Sequence, residues 1–592
     1  MIKRSEVKKT DMWNVSLIYK SDDDFLAEYE NIKSQISKLA DFKGSLNNSE
    51  NIKKFIEEDI RISRIVSKLA IYAHMNHDTD TKNATYADFN AKIESLANKM
   101  GEITSFYRPE LLSKSENFLN ELKNDPEMSF YKQYLDNITR YKPHTLSDAE
   151  ENLLAMSNEA LEGPANAFSY LNSADLKFED AITKDGEKRP LSHGSFGMYL
   201  IDDDRELRKD AFVKMHQSYK NLENTIAAIF SANIKGEIFA SRARKFNSVI
   251  EASLFSDMAP LSVYNSLIEA VNKNLPILHK YFDLRKKVMK LDEIHLYDMY
   301  KPMAEGFNKK YTYDEALEMV FEALKPLGEQ YISDLKAGIE RGWVDKYENE
   351  GKRSGAYSTG CHDTEPFVLM NFNGTLNDVF TLAHELGHSM HSFYSRKHQE
   401  PLYSGYKIFV AEVASIFNET LLTKYLLQKA ESRNEKFGLL NKYLESFRTT
   451  MFRQVMFAEY EQLVHQKAEE GIPLTVDKLN SWYYDLNKKY FGDEVVVDKE
   501  IEIEWARIPH FYYNFYVYKY AIGFATSSAL AKKVLEGGKQ ELNEYLGFLK
   551  AGSSDYPINI LKKAGVDLTT PKPVDDAMSL FADTLKEFEK LI

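Results

Sequence analysis

The chain has 592 residues, 43% of them hydrophobic, with a net charge of −14 and a single cysteine. That length holds one large domain or two to three ordinary ones, with ample apolar material for a core. The acidic balance speaks against a nucleic-acid partner, and the lone Cys361 excludes an intrachain disulfide and fits a reducing compartment.

The N-terminal residues Lys3, Arg4, Lys8 and Lys9 are followed by no apolar run, and no stretch reaches about 18 apolar residues. Neither a signal peptide nor a membrane span is expected, and a cytoplasmic protein is the default. The run Asp22-Asp23-Asp24 reads as a solvated face or a helix start. From Asn51 to Ile71, Ile52, Phe55, Ile56, Ile60, Ile62 and Ile65 alternate with Lys and Glu, which predicts an amphipathic helix. Such segments recur, while 16 prolines and 26 glycines are too few for an all-β chain of this size. The fold is expected to be mostly α.

Two stretches interrupt the helical texture. Between Lys177 and Leu191 a strand-like run meets Lys184-Asp185-Gly186-Glu187, whose Asp-Gly pair predicts a hairpin. It marks an approximate border between an N-terminal helical region, 1–192, and a second helical domain, 193–592. The other interruption spans Gly355 to Asn373 and includes the apolar run Phe367-Val368-Leu369-Met370. It reads either as a small sheet packed on helices or as an edge strand able to pair with an extended peptide.

Next comes the segment that carries chemistry. Thr375 with Asp378 three residues later forms a capping-box-like start, and Gly374 lets the chain turn in. The helix it opens holds His384-Glu385-Leu386-Gly387-His388, an H-E-x-x-H pentapeptide. Histidines four apart lie about 40° apart around a helix, so both imidazoles can share one metal. Glu385, about 100° beyond His384, can lie beside that metal and take a proton from its water. The extended pattern H-E-x-x-H-x-x-G-x-x-H is excluded, because positions 391 and 394 are His and Tyr. His391 lies too far along the helix to share the metal easily and is expected beside the ligands or in the packing.

A catalytic zinc takes three protein ligands and leaves a place for water. The third is expected in the helix after, where Glu412 stands in an apolar and small-residue run, Ile408 to Glu419. A buried carboxylate there is costly unless a cation accompanies it. Glu419, two turns on, shares its face and can accept a hydrogen bond from a ligating imidazole. Farther on, Arg507 to Ala521 is dense in aromatics. A helix beginning near His510 would align Tyr513, Tyr516 and Tyr520, offering hydroxyl donors for a developing oxyanion. Which tyrosine does so stays open on spacing alone. An intact Glu385 speaks against a non-catalytic binding protein.

Taken together, these segments make the chain resemble the oligoendopeptidase F group of the thimet oligopeptidase-like zinc metallopeptidases. The matching residues are Asn371 to Leu376, Phe380 to Ser392, Ala411 to Ser415, Ile508 to Tyr518 and the start Trp13 to Tyr19. The resemblance implies an elongated, two-lobed, multi-helix fold with a deep central channel and a small β-sheet beside the zinc-binding helix. It implies cleavage of internal bonds in short unstructured peptides; the charge and the lack of apolar runs already speak against nucleic acid and membrane as partners. By motif position it implies one zinc ion per chain on His384, His388 and Glu412, and Glu385 as general base. His510 with Tyr513 or Tyr520 then contacts the substrate carbonyl. The stretch from Tyr357 to Asn373 becomes a substrate-binding edge strand, with Tyr357, Gly360 and Phe367 as contacts and Tyr516 beside them.

Overall fold

The computed structural model describes residues 2–304 and 309–592, with the side chain of Asp148 set aside. Most of the chain is helical, and its sheets have two or three very short strands. Among the described residues no helix is long and apolar enough to cross a membrane. Two compact units emerge, and the chain visits each of them three times. The first comprises Met1–Thr145, Asn308–Tyr425 and Leu530–Val566; the second comprises Leu146–Phe307, Leu426–Ala529 and Asp567–Ile592.

In the first unit the helix Ser49–Thr79 starts at Asn48, whose side chain accepts the N–H of Asn51. Ile52, Phe55, Ile56 and Ile62 are fully buried along its apolar stripe, and Ile60 and Ile65 pack at its margins. The same core takes in Phe367 and Leu369 from the distant sheet. That sheet has Phe367–Leu369 in the centre, parallel to Val344–Asp345 on one side and antiparallel to Tyr357–Thr359 on the other. A hydrophobic strand with both faces covered reads as an uninterrupted apolar run, as here. Phe367 is therefore not an edge residue: it is 0% exposed and packs edge-on against Trp13. The edge belongs to Tyr357–Thr359.

The second unit holds the hairpin, Ala181–Ile182 against Lys188–Arg189, with Gly186 at φ +83 supplying the left-handed turn residue. Its core is rich in large aromatics, among them Tyr264, Tyr281, Tyr460, Tyr483 and Trp505. These rings bring apolar area, and their hydroxyls need partners when buried. Tyr264 donates to the Ala458 carbonyl at 2.7 Å and Tyr483 to Glu504 Oε2 at 2.6 Å.

Candidate metal centre

The centre is built on two helices, Leu376–His398 and Ile408–Lys429, and the residues that form it lie in the first unit. The earlier one begins with a closed capping box: Thr375 accepts the Asp378 N–H, and Asp378 Oδ2 accepts the Thr375 N–H at 2.9 Å. Gly374 turns the chain at φ +78, where a Cβ would lie 2.7 Å from the Tyr311 carbonyl oxygen. Val379, Leu382, Ala383, Leu386 and Met390 are all buried, which fixes the helix rotation and turns His384 and His388 towards the second helix.

Three ligand atoms converge there. His384 Nε2 and His388 Nε2 are 3.2 Å apart, and Glu412 Oε2 lies 3.3 Å from the first and 3.5 Å from the second. A tetrahedral ion with bonds of about 2.0–2.2 Å spaces its ligand atoms by about 3.3–3.6 Å. The triangle therefore fits such an ion. Two imidazole lone pairs facing one another beside a carboxylate are also a poor arrangement without a proton or a cation between them.

The orientation of each group has a visible cause. Glu419 Oε1 accepts the Nδ1–H of His384 at 2.6 Å, which leaves the Nε2 lone pair facing the centre. Ser415 Oγ donates to Glu412 Oε2 at 3.1 Å, and Asn418 Nδ2 ties the helices by donating to the Ala383 carbonyl at 3.0 Å. Positions 412, 415 and 419 thus form one helical stripe. Burial opposes an imidazolium at His384, yet hydrogen bonds to Glu412 and Glu419 outweigh it and push its pKa up to about 10. For Glu412 burial would raise the pKa, but His384 and His388 hold it well below the usual carboxylate range. The same charges that favour a proton on His384 would favour a cation among the three atoms.

Glu385 is 7% exposed, and among the described residues its Oε2 has no hydrogen-bond partner. Burial pushes its pKa up, against the pull of His384 and His388. It stands beside the triangle without joining it. His391 does not join it either: its ring stacks on Tyr406 at 3.8 Å and 7°, and burial pushes its pKa down to about 3. It is a neutral packing residue there.

The edge strand lies against the same helix, since Ser358 Oγ and Ser389 Oγ are 2.9 Å apart. Tyr357 donates its hydroxyl to Asp78 Oδ2 at 2.8 Å. The Gly360 carbonyl accepts from Arg396 Nη2 at 2.8 Å.

His510, Tyr513, Tyr516 and Tyr520 belong to the second unit. The expected continuous helix from His510 is absent. A short 3-10 turn, Pro509–Tyr512, is followed by two left-handed residues, Asn514 at φ 47 and Phe515 at φ 55, and the helix proper begins at Tyr518. Consecutive positive φ values cannot continue a right-handed helix. The rings cluster nonetheless: those of Tyr513, Tyr516 and Tyr520 lie 5.8, 6.3 and 6.0 Å from the His510 ring. Burial pushes the His510 pKa down.

Sequence reasoning missed the small residues that let this centre form. A Cβ on Gly387 would lie 2.6 Å from the Ala414 oxygen and 2.7 Å from Ser415 Cα, so the two helices touch through that glycine. Its only sequence signal is a glycine inside a helical pattern.

Comparison with known proteins extends these observations over the whole chain. Residues 198–580 match the family described as "Peptidase family M3", and residues 110–178 match "Oligopeptidase F". "Oligopeptidase PepF" of Bacillus subtilis is 45% identical over 591 residues, covering 100% of this chain and 88% of that protein. The crystal structure of oligoendopeptidase-F from Enterococcus faecium has a TM-score of 0.74 at 37% identity, covering 96% of this chain and 99% of that one. A crystal structure from Chlamydophila abortus has a TM-score of 0.96 at 38% identity, covering 100% of both chains.

Proposed function

The chain belongs to peptidase family M3, as an oligopeptidase F that hydrolyses oligopeptides, and from that premise we propose that His384, His388 and Glu412 hold one zinc ion beside a Glu385 general base. The observation that carries this reading is the near-equilateral triangle of Nε2, Nε2 and Oε2 atoms with edges of 3.2, 3.3 and 3.5 Å. Two imidazoles and a carboxylate with one position left open are a catalytic zinc set.

When bound, zinc supplies Lewis acidity, lowering the pKa of a coordinated water towards about 7 and polarising a carbonyl. The protein residues do the rest. Glu419 keeps His384 in the tautomer whose Nε2 can coordinate. Glu385, with one unpartnered oxygen, accepts the proton of the attacking water and returns it to the leaving amine. Its desolvated carboxylate is a stronger base than one in water.

The substrate is an extended peptide segment. The edge position of Tyr357–Thr359 and its packing against the motif helix through Ser358 support main-chain pairing with that segment. The role of His510 with Tyr513 or Tyr520 as donors to the substrate carbonyl rests on the resemblance of their segment to the oligoendopeptidase F motif. The restriction to short unfolded peptides, and a cytoplasmic setting, belong to the same proposal; the single cysteine supports the latter.

A mass-spectrometric digest of an octapeptide tests this, with and without a chelator and with metal analysis of the protein. Internal fragments formed only without chelator are the expected result. Single residues released from one end would replace the endopeptidase reading with an exopeptidase one.

A further inference from the structure

The second unit contains a cavity of about 230 Å³ that the chemistry above does not use, and every residue lining it belongs to that unit. Arg448, Arg453 and Arg507 stand in its wall with Glu504. The charges around it do not balance. Arg448 and Arg285 share Glu445, with Arg448 Nη2 at 2.7 Å and Arg285 Nη1 at 3.4 Å. Arg453 and Arg507 share a single oxygen of Glu504, at 2.7 and 3.0 Å, and Tyr483 donates to the other. Burial would raise the pKa of both acids, but the arginines hold Glu445 below its ordinary range and Glu504 at about 2, so each carries a full negative charge. His216 in the same wall adds no charge, because burial pushes its pKa down to about 4. Four guanidiniums thus face two carboxylates, and the nearby pair Arg205 and Arg208 shares Asp298 in the same way. Uncompensated charge of this kind is costly, and an anion would relieve it.

The two arginines that share Glu504 keep accessible surface. Their side chains are 18% and 23% exposed, against 6% for the acid between them. Arg453 lies over the Phe457 ring at 4.6 Å and Arg507 over the Phe196 ring at 5.1 Å. Each guanidinium is thus held by a ring on its face and by a carboxylate on one edge. Each carries five N–H donors, of which, among the described residues, one goes to Glu504. Much of the remaining wall is apolar, with Leu200, Phe212, Leu296, Met299 and Phe491. His193 and Gly197 belong to the same lining and are exposed, so the cavity reaches the surface there. The complement is a molecule with a compact, multiply charged anionic head and a small apolar body.

We propose that this cavity binds a small phosphate monoester as its dianion, with an apolar body on the ester oxygen. The phosphoryl oxygens accept N–H groups of Arg453 and Arg507, whose planar forks suit such oxygens. Two negative charges answer the two guanidiniums that Glu445 and Glu504 leave unbalanced, where a monocarboxylate would answer only one. The body lies against Leu200, Phe212 and Met299. A sugar in that place would bring hydroxyls to an apolar wall and leave them unpaired. A volume of 230 Å³ is below the usual range of about 300–1,000 Å³ for ligand pockets, which is too little for a nucleotide. The site shares no residue with the metal centre.

Calorimetric titration of the full chain with phenyl phosphate tests the proposal, at pH 8, well above the second phosphate pKa of about 6. It is run on the metal-loaded protein and repeated after chelation, because a phosphate can also ligate zinc. The expected result in both is saturable binding with Kd of about 1 mM or below, at least about tenfold tighter than for benzoate or inorganic phosphate. Arg507→Gln and Gly197→Phe are each expected to weaken it at least about tenfold, with thermal melting confirming that each variant is folded. The second variant leaves the arginines intact: a Cβ on Gly197 meets nothing within 4 Å, so the added ring has room and narrows the mouth. Absence of saturable heat with the wild type overturns the proposal, as does binding that is lost on chelation or persists unchanged in both folded variants. Benzoate binding as tightly overturns the dianion, and inorganic phosphate binding as tightly overturns the apolar body.

Discussion

Gly387 and Ser415 bring the two metal-centre helices into backbone contact: a Cβ on Gly387 would lie 2.7 Å from Ser415 Cα and 2.6 Å from the Ala414 oxygen. Backbone atoms cannot rotate aside as a flexible side chain can. The close approach is what brings Glu412 Oε2 within 3.5 Å of both imidazoles. Gly387→Ala is therefore expected to push the helices apart and open the triangle. Overpacking of this kind costs about 1–3 kcal/mol, read as a lower melting temperature. The larger effect is expected in metal stoichiometry after dialysis against a weak chelator. Full metal retention with wild-type melting would show that the contact is not what sets the ligand spacing.

Glu419 is not one of the three proposed ligands, yet it holds the Nδ1–H of His384 at 2.6 Å. Loss of such a partner costs about 10–100-fold in metal affinity or activity. Glu419→Ala is expected to fall in that range, and Glu419→Gln, which keeps an acceptor oxygen, to lose less. Competition with a chromogenic chelator measures both. Equal losses in the two variants would mean that charge, not orientation, is what Glu419 provides.

The left-handed turn at Asn514–Phe515 rests on a buried acid. Glu461 is 1% exposed, and its Oε1 accepts the Phe515 N–H at 2.6 Å. Burial pushes its pKa up to about 8, from an ordinary 4.5, against the pull of His465. Between those values the folded state keeps a proton that the unfolded state has lost. Stability from this group therefore falls as pH rises across that window, by about 1.4 kcal/mol per pH unit, and levels off above it. Glu461→Gln lacks this dependence, so its melting temperature is expected to gain on the wild type from pH 5 to pH 8. A constant difference would mean that the carboxylate is ionised in the fold.

The parts of this structure that were legible in the sequence are those that one element states by itself. Helical spacing puts His384 and His388 on one face, and Glu412 and Glu419 on another, whatever surrounds them. The cap at Thr375 and the Asp-Gly hairpin are local in the same sense. Phe367 shows the limit: its strand character is local, but whether it is central or at an edge depends on pairing with Val344–Asp345 and Tyr357–Thr359. The tyrosines after His510 show another. Their three-and-four spacing looks helical, yet the chain is bent by a turn whose second residue is a phenylalanine, and nothing local announces φ 55 there. The restraint comes from Glu461, fifty-four residues earlier. Gly387 belongs with these, since the reason for it lies on the other helix.

Glu385→Gln separates metal binding from proton transfer. The amide has the shape of the carboxylate and lies outside the ligand triangle, so metal content is expected to match the wild type. It cannot accept a proton, and loss of a positioned general base costs about 10²–10⁴ in turnover. The loss is expected in kcat, with KM little changed, because the proton moves only as the bond is attacked. The buried, unpartnered Oε2 of Glu385 makes this a sharp test. A group kept there for structure alone would be stabilised by removing its charge, so the variant would melt higher and still turn over. A metal-loaded variant that melts at or above the wild-type temperature and hydrolyses peptide at the wild-type rate would assign the proton transfer to another residue.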